Sequence, residues 1–95
     1  MQLSMPGQRK LQVIKPTKYE NAEAVTNVLK SGDVAILSFG TIDRGLMKRI
    51  LDFSFGAASA MDASVECIAN GVFAICRSAP LDDREREDLR SMGIA

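Results

Sequence analysis

Histidine is absent from the 95 residues, and cysteine occurs twice, at Cys67 and Cys76. A zinc site draws about four ligands from Cys, His and carboxylates, and two thiols nine positions apart with no histidine do not supply one. Without histidine there is no imidazole base for a nucleophilic triad. Gly40, Gly45 and Gly56 match no phosphate-binding spacing. Asp52 and Asp62 are isolated carboxylates, and Lys48 and Arg49 stand at helical distance from Asp52, where ion pairing is the ordinary outcome. No enzymatic activity, metal or cofactor is expected. An excess of basic charge is also missing, with 12 Lys and Arg against 12 Asp and Glu. Duplex nucleic acid is bound largely through phosphate neutralisation. Arg9, Lys10, Lys15 and Lys18 are spread out rather than clustered, so no nucleic-acid partner is expected. No run approaches the roughly 20 apolar residues of a membrane span, and Met1 to Lys10 has no apolar signal core. Residues 1–10 read as a flexible leader.

What is present is an ordinary globular composition, 46% hydrophobic and 25% charged. The length suits one domain, residues 11–95, with a modest core. Oligomerisation is a common remedy for a core this small. Both cysteines lie in apolar runs and read as small buried hydrophobes of a reducing compartment, with a disulfide as the alternative.

Leu11 to Lys15 is a short strand stopped by Pro16. Thr17 and Glu20 form a capping box for a helix carrying Ala22, Val25, Val28 and Leu29 on one side. Gly32 closes it as a residue able to take positive φ. Val34 to Phe39 is apolar on both faces, with Val34 and Ile36 pointing one way and Ala35, Leu37 and Phe39 the other. Such a strand needs cover on both sides. One chain this short is expected to cover one face, leaving the other for a second copy.

Thr41 to Met61 reads as one long helix capped by Asp43. Leu46, Ile50, Phe53, Ala57 and Ala60 form one stripe, beside a second of Met47, Leu51, Phe55 and Ala58. The arc is wider than packing on one sheet requires. Two readings stay open, ordinary core and a second assembly surface around the small residues Gly56, Ala57 and Ala60. Asn70-Gly71 joins strands Ser64–Ala69 and Val72–Arg77 in a hairpin. A two-residue type I′ turn sets Ile68 opposite Phe73 and Glu66 opposite Ile75. One face then carries Val65, Cys67, Ala69, Val72, Ala74 and Cys76. The other carries Glu66, Ile68, Phe73, Ile75 and Arg77, and resembles an interface patch. Beyond Ala79-Pro80, Asp82 and Glu85 open a last helix with a charged face, ending at Gly93.

Lys48 to Gly56 reads KRILDFSFG. Its Arg49, Asp52, Phe53 and Gly56 resemble the signature of the SepF family of cell-division proteins. Tyr19 to Leu29, Gly32-Asp33-Val34 to Phe39, and Val72-Phe73 through Pro80 are similar in order to that family's first helix, central strand and last long strand. The tail from Leu81 to Ala95 resembles the C-terminal helix of actinobacterial-type members. The resemblance covers residues 11–95. It implies a two-layer α/β sandwich, a small mixed sheet with helices on one face, that dimerises. It implies a cytoplasmic adaptor at the division septum, peripheral to the inner face of the membrane, that binds the C-terminal tail peptide of FtsZ and supports Z-ring assembly and membrane tethering. The implied peptide-binding residues are Phe73, Ile75, Ile68, Glu66, Cys67, Arg77 and Met92. Phe53, Gly56, Ala57, Ala60 and Phe39, read from the apolar stripes, are the candidate dimer or assembly interface, with polymers of dimers open. Cys67 stands where relatives often carry a basic residue, which shifts the charge contact toward Arg77. Asp62-Ala63 stands where relatives often have Gly-Gly. Met1 to Lys10 is too poor in apolar residues for the amphipathic membrane anchor common in relatives, so membrane contact is expected only through a segment not present here. The alternative function is a small dimeric α/β ligand-sensing or regulatory domain.

Overall fold

The computed structural model describes residues 9–94. Strand β1 (Leu11–Ile14) stops before the buried Pro16, which has no N–H to continue a ladder. The first helix begins differently from expectation. Asn21, rather than Thr17 with Glu20, organises the turn, its Oδ1 accepting from the N–H groups of Thr17 at 2.9 Å and Lys18 at 3.1 Å. A short amide side chain reaches the backbone a few residues back more readily than a long carboxylate. A 3-10 turn at Tyr19–Ala22 leads into α1 (Glu23–Lys30), which buries Val25, Val28 and Leu29. Gly32, at φ +84°, makes the expected exit.

Strand β2 (Val34–Ser38) pairs in parallel with β1. Helix α2 (Arg44–Ala60) is capped by Asp43, whose Oδ2 accepts from the N–H of Leu46 at 3.0 Å. Strands β3 (Ala63–Ala69) and β4 (Val72–Arg77) follow, then α3 (Asp83–Ser91). Asp82 and Glu85 cap α3 reciprocally, Glu85 N–H donating to Asp82 at 2.7 Å and Asp82 N–H to Glu85 at 3.0 Å. The sheet is mixed and four-stranded in the order β1-β2-β4-β3, with β4 antiparallel to both neighbours.

The alternation read from β2 holds. Ala35, Leu37 and Phe39 join Val25, Leu29 and Ile50 in the core beneath α1 and α2. Val34 and Ile36 face the other way, where they cluster with Val72, Ala74, Cys76, Leu81 and Leu89. Helices therefore do not keep to one face, because α3 folds back over the second. The chain covers much of that face itself, and the expectation that the face waits for a second copy loses its premise.

The hairpin departs from a type I′ turn, which requires positive φ at both central residues. Gly71 has it, at +73°, and Asn70 does not. The ladder pairs Ala69 with Val72 but Cys67 with Phe73 and Val65 with Ile75, leaving Ile68 as an extra residue in a bulge. One extra residue moves the rest of the strand to the opposite face. Val65 and Cys67 thus lie on the side of Phe73 and Ile75, the face that carries α1 and α2, and both are exposed there. Glu66 and Ile68 lie on the α3 side. The expected patch of Glu66, Ile68, Phe73, Ile75 and Arg77 is divided between the two faces.

Candidate functional site

Phe73 sits one residue into β4, half-buried against the α1–α2 core. It meets Phe39 edge to face, ring centroids 6.1 Å apart and planes at 76°, a favoured aromatic geometry. Cys67 is exposed directly across the ladder from Phe73. Val65, opposite Ile75, is also exposed. Ile75 is fully buried and offers no surface to a ligand. Arg77 is exposed, yet its guanidinium donates to the Leu29 carbonyl at 3.1 Å, which ties it to the end of α1. Just past Phe39, a cavity of about 460 Å³ opens at the carboxyl ends of β1 and β2, lined by Lys15, Thr17, Ser38, Gly40 and Thr41 among others. Crevices at the ends of parallel strands are recurrent binding places.

The remaining expected binding residues lie elsewhere. Glu66 forms an ion pair with Arg86 of α3 at 2.7 Å, and the hydrogen bond from Arg86 holds its carboxyl below the ordinary glutamate value. Ile68 packs under α3 with Leu81 and Leu89. Met92, 50% exposed, lines a cavity of about 580 Å³ between α3 and β1, with Arg9, Leu11 and Asp88. Phe73 and Cys67 form one locality, and Glu66, Ile68 and Met92 another on the reverse side of the sheet.

Helix α2 turns Ile50, Ser54 and Ala58 fully inward. The Ser54 hydroxyl donates to the Ile50 carbonyl at 2.7 Å, which satisfies it inside the core. Gly56 and Ala60 face solvent, Ala57 and Phe53 are half-buried, and Phe55 is 43% exposed. A Cβ added at Gly56 would meet nothing within 4 Å. The chain's own packing does not explain a glycine there. The outer side of α2 is a strip of small residues edged by Phe55. Phe39, expected in the assembly interface, is instead buried within the chain against Phe73.

Tyr19 is the residue that the sequence reading missed. Its ring meets Phe53 edge-on at 6.2 Å, and Arg49 lies 4.5 Å above it. Two residues of the KRILDFSFG segment therefore clasp a side chain from the turn before α1. Asp52 pairs with Lys48 at 3.4 Å with both groups exposed, a contact worth little. Arg9, assigned to the leader, is held tightly. Both of its ends on Glu85 are short, 2.8 and 2.9 Å, and the hydrogen bond depresses the Glu85 carboxyl. Residues 1–8 of that leader lie outside the described residues. Among the described residues no three His, Cys, Asp or Glu side chains gather as a metal site, and no helix is long and apolar enough to cross a membrane.

A family model described as cell division protein SepF matches residues 12–78. Proteins named cell division protein SepF are similar along most of the chain. That of Alkaliphilus metalliredigens is 26% identical over 88 residues, covering 92% of this chain and 60% of its own length. That of Rubrobacter xylanophilus is 28% identical over 89 residues, covering 90% and 48%. That of Clostridium botulinum is 30% identical over 86 residues, covering 90% and 55%. The chain thus spans about half to three fifths of these relatives. Among solved structures, a SepF-like protein from Pyrococcus furiosus superposes with a TM-score of 0.67 at 17% identity, covering 83% of this chain and all of its own. That likeness bears on the fold.

Proposed function

The chain belongs to the SepF family of cell division proteins, and from that premise we propose that it is a non-enzymatic adaptor that dimerises through α2 and binds the C-terminal tail peptide of FtsZ beside Phe73. The observation that carries the reading is the Phe39–Phe73 pair, in which Phe73 is partly exposed at the edge of the core with Cys67 exposed across the ladder from it. A short peptide gains most from an apolar anchor seated in a preformed pocket with a few polar groups around it. Phe73 offers the anchor contact, and the cavity at the ends of β1 and β2 offers the polar groups of Lys15, Thr17, Ser38 and Thr41. Cys67 contributes no charge, so a charge contact with the peptide falls to Arg77 or to Lys15 at the end of β1. Ile75 supports the site from below. Glu66, Ile68 and Met92 stand on the other face and contribute to α3 packing rather than to this site.

The dimer reading rests on Gly56. Glycine inside a helix costs about 1 kcal/mol relative to alanine, and nothing within this chain needs it. A neighbouring backbone at close approach does. With Ala57, Ala60 and Phe53 around it, that face accommodates the same face of a second copy across a two-fold axis. Action at the septum, on the inner face of the membrane, follows from the partner. Tethering falls to a segment other than the sheet and its helices.

The test is calorimetric titration of the whole chain with a peptide of the FtsZ tail from the same organism, with mass measured by light scattering. Micromolar binding, about −8 kcal/mol, to a dimer supports the adaptor. A clean dimer that ignores the peptide removes FtsZ as partner and favours a ligand-sensing role for the cavity at the strand ends.

A further inference from the structure

We propose that Arg9 is a strap that fastens α3 over the second face of the sheet, and that α3 opens as a unit when the strap is released. The proposal does not depend on peptide binding. Arg9 makes five hydrogen bonds, two to the Glu85 carboxylate and one each to the carbonyls of Arg77, Ala79 and Pro80. It thereby joins a residue two positions ahead of β1 to the corner after β4 and to the first turn of α3. Only 14% of the Arg9 side chain and 8% of the Glu85 side chain are exposed, so this is a desolvated pair whose loss leaves a buried charge uncompensated.

The rest of α3 holds on weakly. Seven of its nine residues are charged, and Glu85 and Leu89 are its buried positions. A nine-residue helix is too short to persist without tertiary contacts. Its other inter-element ion pair, Arg86–Glu66, is more than a third exposed on both sides and so is worth little. Apolar attachment comes from Leu81 and Leu89, with Ile94 half-buried beside them. Beneath lie Val34, Ile36, Val72, Ala74 and Cys76. The matched family segment runs from residue 12 to residue 78. Arg9, Glu85 and α3 all fall outside it.

Cys76 reports the opening. It is 3% exposed and lies under α3, while Cys67 is exposed. In the whole chain carrying Cys67→Ser, Cys76 is the sole thiol, and its reaction with a disulfide reagent at fixed pH measures how often the cover lifts. Adding Arg9→Ala is expected to speed that reaction at least about tenfold, the scale of one lost charge-assisted hydrogen bond. Arg9→Lys keeps the charge without the fork and falls between. Hydrogen exchange should quicken at the amides of α3 and stay unchanged in β2 and β4. Should Arg9→Ala fail to fold, Glu85→Gln removes the carboxylate with little change of shape and is expected to act in the same direction. An unchanged Cys76 rate in these variants overturns the proposal. So does acceleration of α3 and β2 together, which would make Arg9 a part of global stability and not a strap.

Discussion

Phe73 stands across the sheet ladder from Cys67 and edge-on to Phe39, with 6.1 Å between the two ring centroids. That position makes Phe73 part wall and part surface. Phe73→Ala should abolish binding of the FtsZ tail peptide in the calorimetric titration. It should also cost about 2 kcal/mol of unfolding free energy, less than a fully buried phenylalanine because Phe73 is only partly buried. Phe73→Leu keeps most of the packing and separates the two effects. A leucine variant that is stable and still binds as well as the parent would show that the ring is wall only.

Gly56 permits a pair of substitutions with opposite outcomes. Alanine there meets no atom within 4 Å, so Gly56→Ala should stabilise the isolated fold by about 0.5–1 kcal/mol. Lysine is equally accommodated by the monomer but cannot pack against a second copy's backbone. Gly56→Lys should therefore leave the circular dichroism and melting of the monomer intact while light scattering reports half the parent's mass. A Gly56→Lys protein that remains dimeric moves the interface off α2.

Much of the fold was legible because it follows from alternation and local caps. Val34 and Ile36 separated correctly from Ala35, Leu37 and Phe39, and Asp43 and the Asp82–Glu85 pair capped their helices as read. The bulge at Ile68 was not legible. Asn70-Gly71 is the strongest sequence mark of a tight turn, and nothing in the residue types says that only Gly71 takes positive φ. That single difference put Glu66 and Ile68 on the wrong face. The placement of α3 was likewise hidden, since its sequence is almost wholly charged and its attachment depends on Arg9, 76 positions from Glu85. The site suffered more than the fold for a physical reason. Side-chain facing in β3 turns on register, whereas the identity of the strand does not.

Asp62 occupies the turn between α2 and β3 with φ +55°. A side chain is strained in the left-handed region, aspartate less than most, and its negative charge sits at the carbonyl end of α2, where the helix dipole disfavours it. Asp62→Gly relieves both. It should raise unfolding free energy by about 0.5–1 kcal/mol, while Asp62→Val, β-branched and intolerant of this φ, should lower it by at least about 1 kcal/mol. Chemical denaturation of the two variants beside the parent measures both. A glycine variant no more stable than the parent would mean that the aspartate makes a compensating contact.

Acid should act through Glu85 before Glu66. The Arg9 hydrogen bonds lower the Glu85 carboxyl beneath its ordinary value of 4.5. A group whose folded value is depressed contributes stability that is fully present above its unfolded value and is lost as pH falls through the folded one. Stability of the parent should therefore hold down to roughly pH 5 and decline below about 4.5. Glu85→Gln has no such contribution to lose. It should begin less stable at neutral pH and show a shallower fall in acid. Glu66 is depressed in the same direction by Arg86, but that pair is exposed to solvent on both sides. Glu66→Gln should leave the acid limb almost as steep as the parent's. Denaturant midpoints between about pH 3 and 7 for the three proteins decide the matter, because the carboxylates outside these two pairs are common to all three and cancel in the differences. Equal acid limbs in the parent and Glu85→Gln would mean that the Arg9–Glu85 pair is not a source of the pH dependence.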